Sequence, residues 1–177
     1  MLPKLSRLCI CYAHATVCRQ GRMTDWAQYI KSLRNCAIIA LQGTRVPQRE
    51  TELECIQTQN YTVYHSGYNK VCSSHSGVSI IVNHKFICPK SIHSYWIPSE
   101  HKLQGRILGI RIRGERYDTM HITIYYPPYT TDYSNQLCAQ ICKSVEKCIQ
   151  ELPNRCMPVL YFDGNSSLGK LRPKWEQ

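Results

Sequence analysis

Short apolar stretches separated by Gly, Pro, Ser or Asn recur along the sequence, and they constrain the fold more than any other feature. Each has the length of a β-strand, whereas a helix that crosses a bilayer needs roughly 20 apolar residues. We therefore expect a fold built largely on β-sheets, with no membrane span and no membrane partner. The stretches are "LCICYA" (8–13), "CAIIALQ" (36–42), "YTVYHSGY" (61–68), "GVSIIVNH" (77–84), "GRILGIRIRG" (105–114), "MHITIYYPP" (120–128) and "MPVLYF" (157–162).

Two segments show a helical period instead. The segment "MTDWAQYIKSLRN" (23–35) places its apolar residues on one face and has Thr24 as a candidate N-cap. The segment "SNQLCAQICKSVEKCIQELP" (134–153) is amphipathic and ends at Pro153. The order is strand, helix and strand, then an antiparallel block, then helix and strand. It predicts an α/β sandwich with inner sheets and outer helices, in a single domain over 1–177.

The composition indicates a polyanionic partner. Lys and Arg number 22 against 12 Asp and Glu, a formal charge of +10 with a pI of about 9.1. Such a balance favours nucleic acid, through phosphate neutralisation and counterion release. A basic surface without a specific partner is the alternative, and nothing in the sequence indicates a protein partner. Because no targeting signal is readable, we expect an intracellular protein, without a distinction between nucleus and cytoplasm.

Cysteine is abundant, with 11 residues, most of them within apolar stretches. We expect buried, reduced thiols. Structural zinc is the alternative, but the spacings are Cys-x-Cys at 9 and 11 and Cys-x3-Cys at 138 and 142. Because structural zinc sites commonly use closely spaced Cys-x2-Cys pairs, these spacings do not favour the metal.

The order of five stretches resembles the endonuclease/exonuclease/phosphatase superfamily. Within that superfamily, the sequence resembles the endonuclease domains of LINE-type retroelements and the related craniofacial-development-like proteins. The resemblance runs from about Leu8 to Gly169. It implies a four-layer α/β/β/α sandwich that lacks the last strands, so that the domain is truncated at its C-terminus. The stretches are "AIIALQGTR", "SGVSIIVN", "GRILGIRI", "ITIYYPP" and "PVLYFDGNSSLGK".

This family hydrolyses phosphodiester bonds with a divalent metal, so the resemblance implies Mg²⁺ (or Mn²⁺) and a nucleic-acid substrate, with DNA favoured over RNA. Asp163 and Asn165 match the family's G-D-x-N motif, with Phe162 in place of its glycine. An Asx-rich turn after a strand is the alternative. Tyr125 matches the tyrosine of the family's N-x-Y-x-P stretch, although core or rim tyrosines are common at strand ends. The resemblance thus implies Tyr125, Asp163 and Asn165 as catalytic residues.

Three further residues are candidates for binding phosphate or substrate. Thr123 stands where the family motif has asparagine, and so offers a hydroxyl in place of an amide. Gln42 begins the family's Gln-Glu-Thr stretch. On the first strand Ala13 replaces the family's asparagine, and His14 beside it is a candidate substitute; an exposed or capped histidine is the alternative.

The departures from the family concern the metal and the general base. Gly43 replaces the glutamate that is the family's principal metal ligand, so Mg²⁺ loses a charged oxygen and its binding is expected to be weak. No Ser-Asp-His stretch, which closes the family's domain, is present up to Gln177. Two functions therefore remain open: a divalent-metal phosphodiesterase or endonuclease that is impaired or inactive, or a non-catalytic, retroelement-derived remnant or basic nucleic-acid-binding module.

Overall fold

The computed structural model describes residues 35–48, 53–68, 76–127 and 131–163, together with the backbone of 10–14. Within these ranges the chain forms two β-sheets and one α-helix. No helix in this part of the chain combines the length and the apolar character needed to cross a membrane.

The first sheet has the strand order β1-β2-β5-β4-β3. β1 and β2 run parallel, and the other neighbouring strands are antiparallel. β2 and β5 are buried along their whole length, which accounts for their predominantly apolar sequences. The strands are β1 (Ile10–His14), β2 (Ile38–Gln42), β3 (Glu54–Gln57), β4 (Tyr61–Ser66) and β5 (Val78–Asn83).

The second sheet has the order β6-β7-β8-β9. Its members are β6 (Ile92–Trp96), β7 (Ile107–Ile112), β8 (Asp118–Tyr125) and β9 (Cys156–Asp163). β8 and β9 are parallel, and α1 (Asp132–Gln150) lies between them in the chain. The α1 helix is capped by Thr131, whose hydroxyl accepts a hydrogen bond from the Ser134 amide at 3.1 Å.

The two sheets pack face to face, and α1 covers the outer face of the second sheet. Ile80, Leu108 and Ile110 belong to the core between the sheets, and Ile122 and Ile141 belong to the core under α1. A third apolar cluster, which includes Ile39, lies on the other face of the first sheet. Along β8 the side chains therefore alternate between the inter-sheet core and the α1 core.

The predicted sandwich is confirmed, and the described residues supply three of its layers. The predicted helix over 134–153 is α1, whereas the predicted helix over 23–35 lies outside the described residues except for Asn35. The four middle strands are antiparallel in pairs, but β4 and β5 belong to the first sheet and β7 and β8 to the second. The short strands β3 and β6 were not predicted.

The expectation of buried, reduced cysteines is wrong in part. Cys36 takes part in a disulfide bond. Cys55, Cys88 and Cys142 are free but exposed. Cys55 lies on the edge strand β3, Cys88 lies in a loop, and Cys142 lies on α1. Cys148 fits the expectation, and burial raises the pKa of its thiol to about 11, so it stays protonated near neutral pH.

β9 has a strand partner on one side only within the described part of the chain. Three of its apolar side chains, Met157, Leu160 and Phe162, are 54%, 43% and 58% exposed. Among the described residues β9 is thus an edge strand with exposed apolar side chains. Such an edge can pair with another strand, so it is a liability for solubility.

Candidate active site

Four strand ends meet at one edge of the sandwich. In the parallel pair β1 and β2, His14 and Gln42 are register partners at the strand ends. In the parallel pair β8 and β9, Tyr125 and Asp163 are register partners in the same way. Because the carboxyl ends of parallel strands share an edge, each pair brings its terminal residues together.

A hydrogen bond between the sheets joins the two pairs. The Gln42 side-chain amide donates to the Thr123 hydroxyl at 2.7 Å, and both residues are fully buried. We call the group formed by Gln42, Gly43, Thr123, Tyr125 and Asp163 the polar edge. It unites five of the residues that the sequence singled out.

Two buried oxygen atoms at the polar edge have no hydrogen-bond partner among the described residues. They are the Gln42 side-chain carbonyl oxygen Oε1 and the hydroxyl oxygen of Thr44, which follows Gly43. A buried polar atom without a partner costs about 1–3 kcal/mol. Such atoms are therefore suited to an ordered water molecule or a polar ligand.

Tyr125 and Asp163 are both largely buried, with 7% and 9% of their surface exposed. The Tyr126 amide donates to the Asp163 carbonyl at 3.1 Å, which continues the contact between the strands just past their ends. The backbone therefore holds the phenol and the carboxylate in adjacent positions on two strands. Their catalytic roles stay predictions.

The segment after β2 has an unusual backbone. Gly43 has φ 63° and Arg45 has φ 55°, both in the left-handed region. The Thr44 amide donates to the Gly77 carbonyl and the Arg45 amide donates to the Ser76 carbonyl, each at 3.0 Å. These bonds fix the segment against the residues that precede β5. Glycine adopts this conformation freely, whereas another residue pays about 1–2 kcal/mol for it. The position at which the motif order predicted a metal-binding glutamate is thus one that favours glycine.

Arg106 is a residue of this edge that the sequence motifs did not single out. Its guanidinium carbon lies 5.7 Å from the centre of the Tyr125 ring, and its backbone carbonyl accepts from the Tyr125 amide at 2.8 Å. It is only 5% exposed. The sequence shows that Arg106 directly precedes an apolar strand. That pattern does not indicate that its side chain would contact the end of β8.

We expect Arg106→Lys to lower the free energy of unfolding by about 1–2 kcal/mol, because lysine keeps the charge and loses the planar stacking on Tyr125. Urea denaturation measures the change. Arg113→Lys on the exposed surface is the matched control and should change stability by less than about 0.5 kcal/mol. Equal effects of the two substitutions would contradict the stacking role.

The described residues do not fit a resident Mg²⁺ ion. No group of three or more His, Cys, Asp or Glu side chains within them could hold a metal, and Gly43 brings no carboxylate. Asn165 lies outside the described residues, and so does the side chain of His14. The polar edge is therefore described by its hydrogen-bonding groups and by the Arg106 cation.

Solved structures that share the fold include the following two. The endonuclease domain of TRAS1, a telomere-specific non-LTR retrotransposon, is 15% identical with a TM-score of 0.51, covering 89% of this chain and 60% of that structure. A humanized D. rerio TDP2 with 14 mutations is 12% identical with a TM-score of 0.56, covering 88% and 61%.

This chain thus spans about three fifths of each of these two structures. No protein-family model matches the sequence, and no curated protein matches it. At these low identities the similarity concerns the fold. The fold of this chain is that of the endonuclease/exonuclease/phosphatase superfamily, as its motifs predicted.

Proposed function

We propose that this chain binds nucleic acid at the polar edge and that its phosphodiesterase activity is impaired or absent. The observation that carries the proposal is the convergence of Gln42, Thr123, Tyr125 and Asp163 on one edge where Gly43 replaces the expected glutamate. The remaining groups can hold a phosphate, and the charge needed to place a metal ion is missing. We therefore expect the chain to bind nucleic acid without cleaving it efficiently.

The polar edge offers the groups that a phosphodiester requires for binding. Arg106 supplies a cation, and Tyr125 supplies a hydroxyl group at the strand end. The buried Thr123 hydroxyl accepts from Gln42 and donates to the Leu41 carbonyl, so it positions Gln42 beside them. Hydrogen bonds to charged groups are stronger than those between neutral groups, so a phosphate oxygen gains most from the guanidinium. The formal charge of +10 adds an attraction that weakens as salt rises.

Cleavage demands more than binding. In-line attack on a phosphodiester needs an activated water and an aligned phosphate, and in this family a divalent ion supplies charge stabilisation. Loss of a general base alone costs about 10²–10⁴-fold in rate. Since the described residues do not fit the ion, we assign no catalytic step to it.

A non-catalytic, retroelement-derived remnant or basic nucleic-acid-binding module is the second candidate function. Gly43 favours it, because its left-handed backbone suits glycine and disfavours the glutamate that cleavage would need. The two candidates differ in one measurable property. An impaired enzyme retains slow cleavage that depends on Asp163, whereas a binding module has none.

Plasmid nicking measured beside filter binding tests the proposal. We expect salt-dependent binding without sequence preference, and little or no nicking of supercoiled DNA in Mg²⁺ or Mn²⁺. Asp163→Asn is the control, because it removes the charge and keeps the shape of the side chain. Robust nicking by the unmodified chain that disappears in Asp163→Asn would show a complete active site. Absence of binding at low salt would contradict the proposal altogether.

A further inference from the structure

The turn between β7 and β8 lies at the end of the sandwich opposite the polar edge. It joins Ile112 to Thr119, which are register partners, whereas the other end of β8 is Tyr125. The eight residues of β8 span about 25 Å at a rise of about 3.4 Å per residue. A binding site at this turn is therefore separate from the polar edge.

The turn is surrounded by cations. The Arg113 amide donates to the Ser91 carbonyl at 2.7 Å, which brings the exposed Lys90 next to the turn. The Arg155 guanidinium donates to the Gly114 carbonyl at 3.0 Å, which brings the start of β9 to the same place. We call the group formed by Lys90, Arg113, Arg116, Tyr117 and Arg155 the turn surface.

The Asp118 carboxylate in this region already binds two arginine side chains. Asp118 is 2% exposed and accepts from Arg111 Nε and from Arg155 Nη2, each at 3.0 Å. The hydrogen bonds and charges of these arginines lower the pKa of Asp118 below its usual value. This carboxylate therefore neutralises part of the charge on Arg111 and Arg155 and is not available to the other cations.

No carboxylate among the described residues pairs with Lys90, Arg113 or Arg116. The exposed Glu115 is the nearest acidic residue in sequence to Arg113 and Arg116, and it forms no ion pair with them. Arg113 instead contacts the ring nitrogen Nε2 of His93 at 3.3 Å. The turn surface thus presents guanidinium groups that can donate hydrogen bonds to phosphate oxygens.

An aromatic side chain accompanies these cations. Tyr117 belongs to the same turn and is 62% exposed, although tyrosine commonly buries its ring. Exposed aromatic rings beside a basic surface are the combination with which proteins bind single strands, because unpaired bases stack on the rings and phosphates contact the cations.

We propose that the turn surface is a second nucleic-acid contact, which binds the phosphodiester backbone of a single strand and stacks one unpaired base on Tyr117. This contact goes beyond the proposed binding at the polar edge and rests on that proposal only in requiring a nucleic-acid partner. It lets a strand engage both ends of the sandwich.

Fluorescence anisotropy with a labelled single-stranded DNA oligonucleotide tests the proposal. The double variant Arg113→Ala/Arg116→Ala should reduce the slope of log K against log salt by about 1.4, because each lost phosphate contact contributes about 0.7 on a single strand. The matched control is Lys143→Ala/Lys147→Ala, which removes the same charge from exposed positions on α1. Equal changes of slope in the two variants would overturn the proposal.

Tyr117 gives an independent measurement. Tyr117→Ala should weaken binding of the single strand by about tenfold, whereas Tyr117→Phe keeps the ring and should retain the affinity. An RNA oligonucleotide of the same sequence should show the same slope change, since phosphate is the shared chemistry. Equal weakening of a blunt DNA duplex by Tyr117→Ala would overturn the assignment to single strands.

The outcomes separate this proposal from the previous one. If the unmodified chain binds no nucleic acid, the proposed function fails. If it binds and the Arg113→Ala/Arg116→Ala variant behaves as its lysine control does, the proposed function stands and the turn surface is wrong.

Discussion

Replacing Gly43 with glutamate is expected to tighten Mg²⁺ binding by about tenfold or more, equivalent to about 1.4 kcal/mol. A hard cation gains a charged oxygen beside Asp163 and the buried oxygen of Gln42, both of which the structure places at the same edge. Titration calorimetry on the two proteins measures the change. The same variant should also melt at a higher temperature when Mg²⁺ is added, because a ligand that binds the folded state stabilises it.

The left-handed backbone at Gly43 complicates this substitution, and a matched control resolves it. Any side chain at φ 63° pays about 1–2 kcal/mol, so the glutamate variant should be less stable than the unmodified chain in the absence of metal. Gly43→Gln pays the same cost and has the same shape without the charge. If the glutamine and glutamate variants respond equally to Mg²⁺, the added carboxylate does not bind the ion.

The sequence predicts the interior of the fold better than its edges. β2, β5, β7 and β8 are buried over most of their length and rich in apolar residues, so local sequence identifies them as strands. The edge strand β3 is short and half exposed, so its four residues carry little periodic signal. The assignment of strands to two different sheets depends on long-range packing, which local patterns do not report.

Local sequence motifs also predict only part of the polar edge. Motif order identifies Tyr125 and Asp163, and the parallel pairing of β8 and β9 brings them into register. The hydrogen bond between Gln42 and Thr123 spans 81 residues of sequence and crosses between the sheets. Arg106 reaches Tyr125 because their strands are antiparallel neighbours. Contacts of this kind depend on the topology of the sheets, so a local sequence motif does not predict them.

A second large effect is expected from pH, through a buried histidine of β8. His121 is 2% exposed; its Nδ1 lies 2.8 Å from the Tyr161 hydroxyl and its Nε2 lies 2.9 Å from the Thr119 hydroxyl. Burial lowers the pKa of His121 from 6.5 to about 4, since the charged imidazolium would lose its hydration. The imidazole is therefore neutral in the folded protein down to mildly acidic pH.

The sign of the effect follows from proton uptake. Well above pH 6.5 neither state binds this proton, and the full stability is present. As the pH falls from 6.5 towards 4, the unfolded chain binds the proton and the folded chain does not, so the free energy of unfolding decreases. Between pH 7 and pH 4.5 the loss due to His121 should be about 2 kcal/mol. Urea denaturation at a series of pH values measures it.

His121→Gln is the control, because glutamine keeps a polar side chain at this position and does not titrate. It should be less stable than the unmodified chain at pH 7, since it cannot reproduce both hydrogen bonds, but its stability should depend less on pH between 7 and 4.5. Asp118, whose pKa is lowered below its usual value, loses its contribution at a more acidic pH and so does not interfere in this range. If the two proteins lose stability in parallel over this range, His121 is not the group that senses the proton, and the acid sensitivity of the fold arises from other residues.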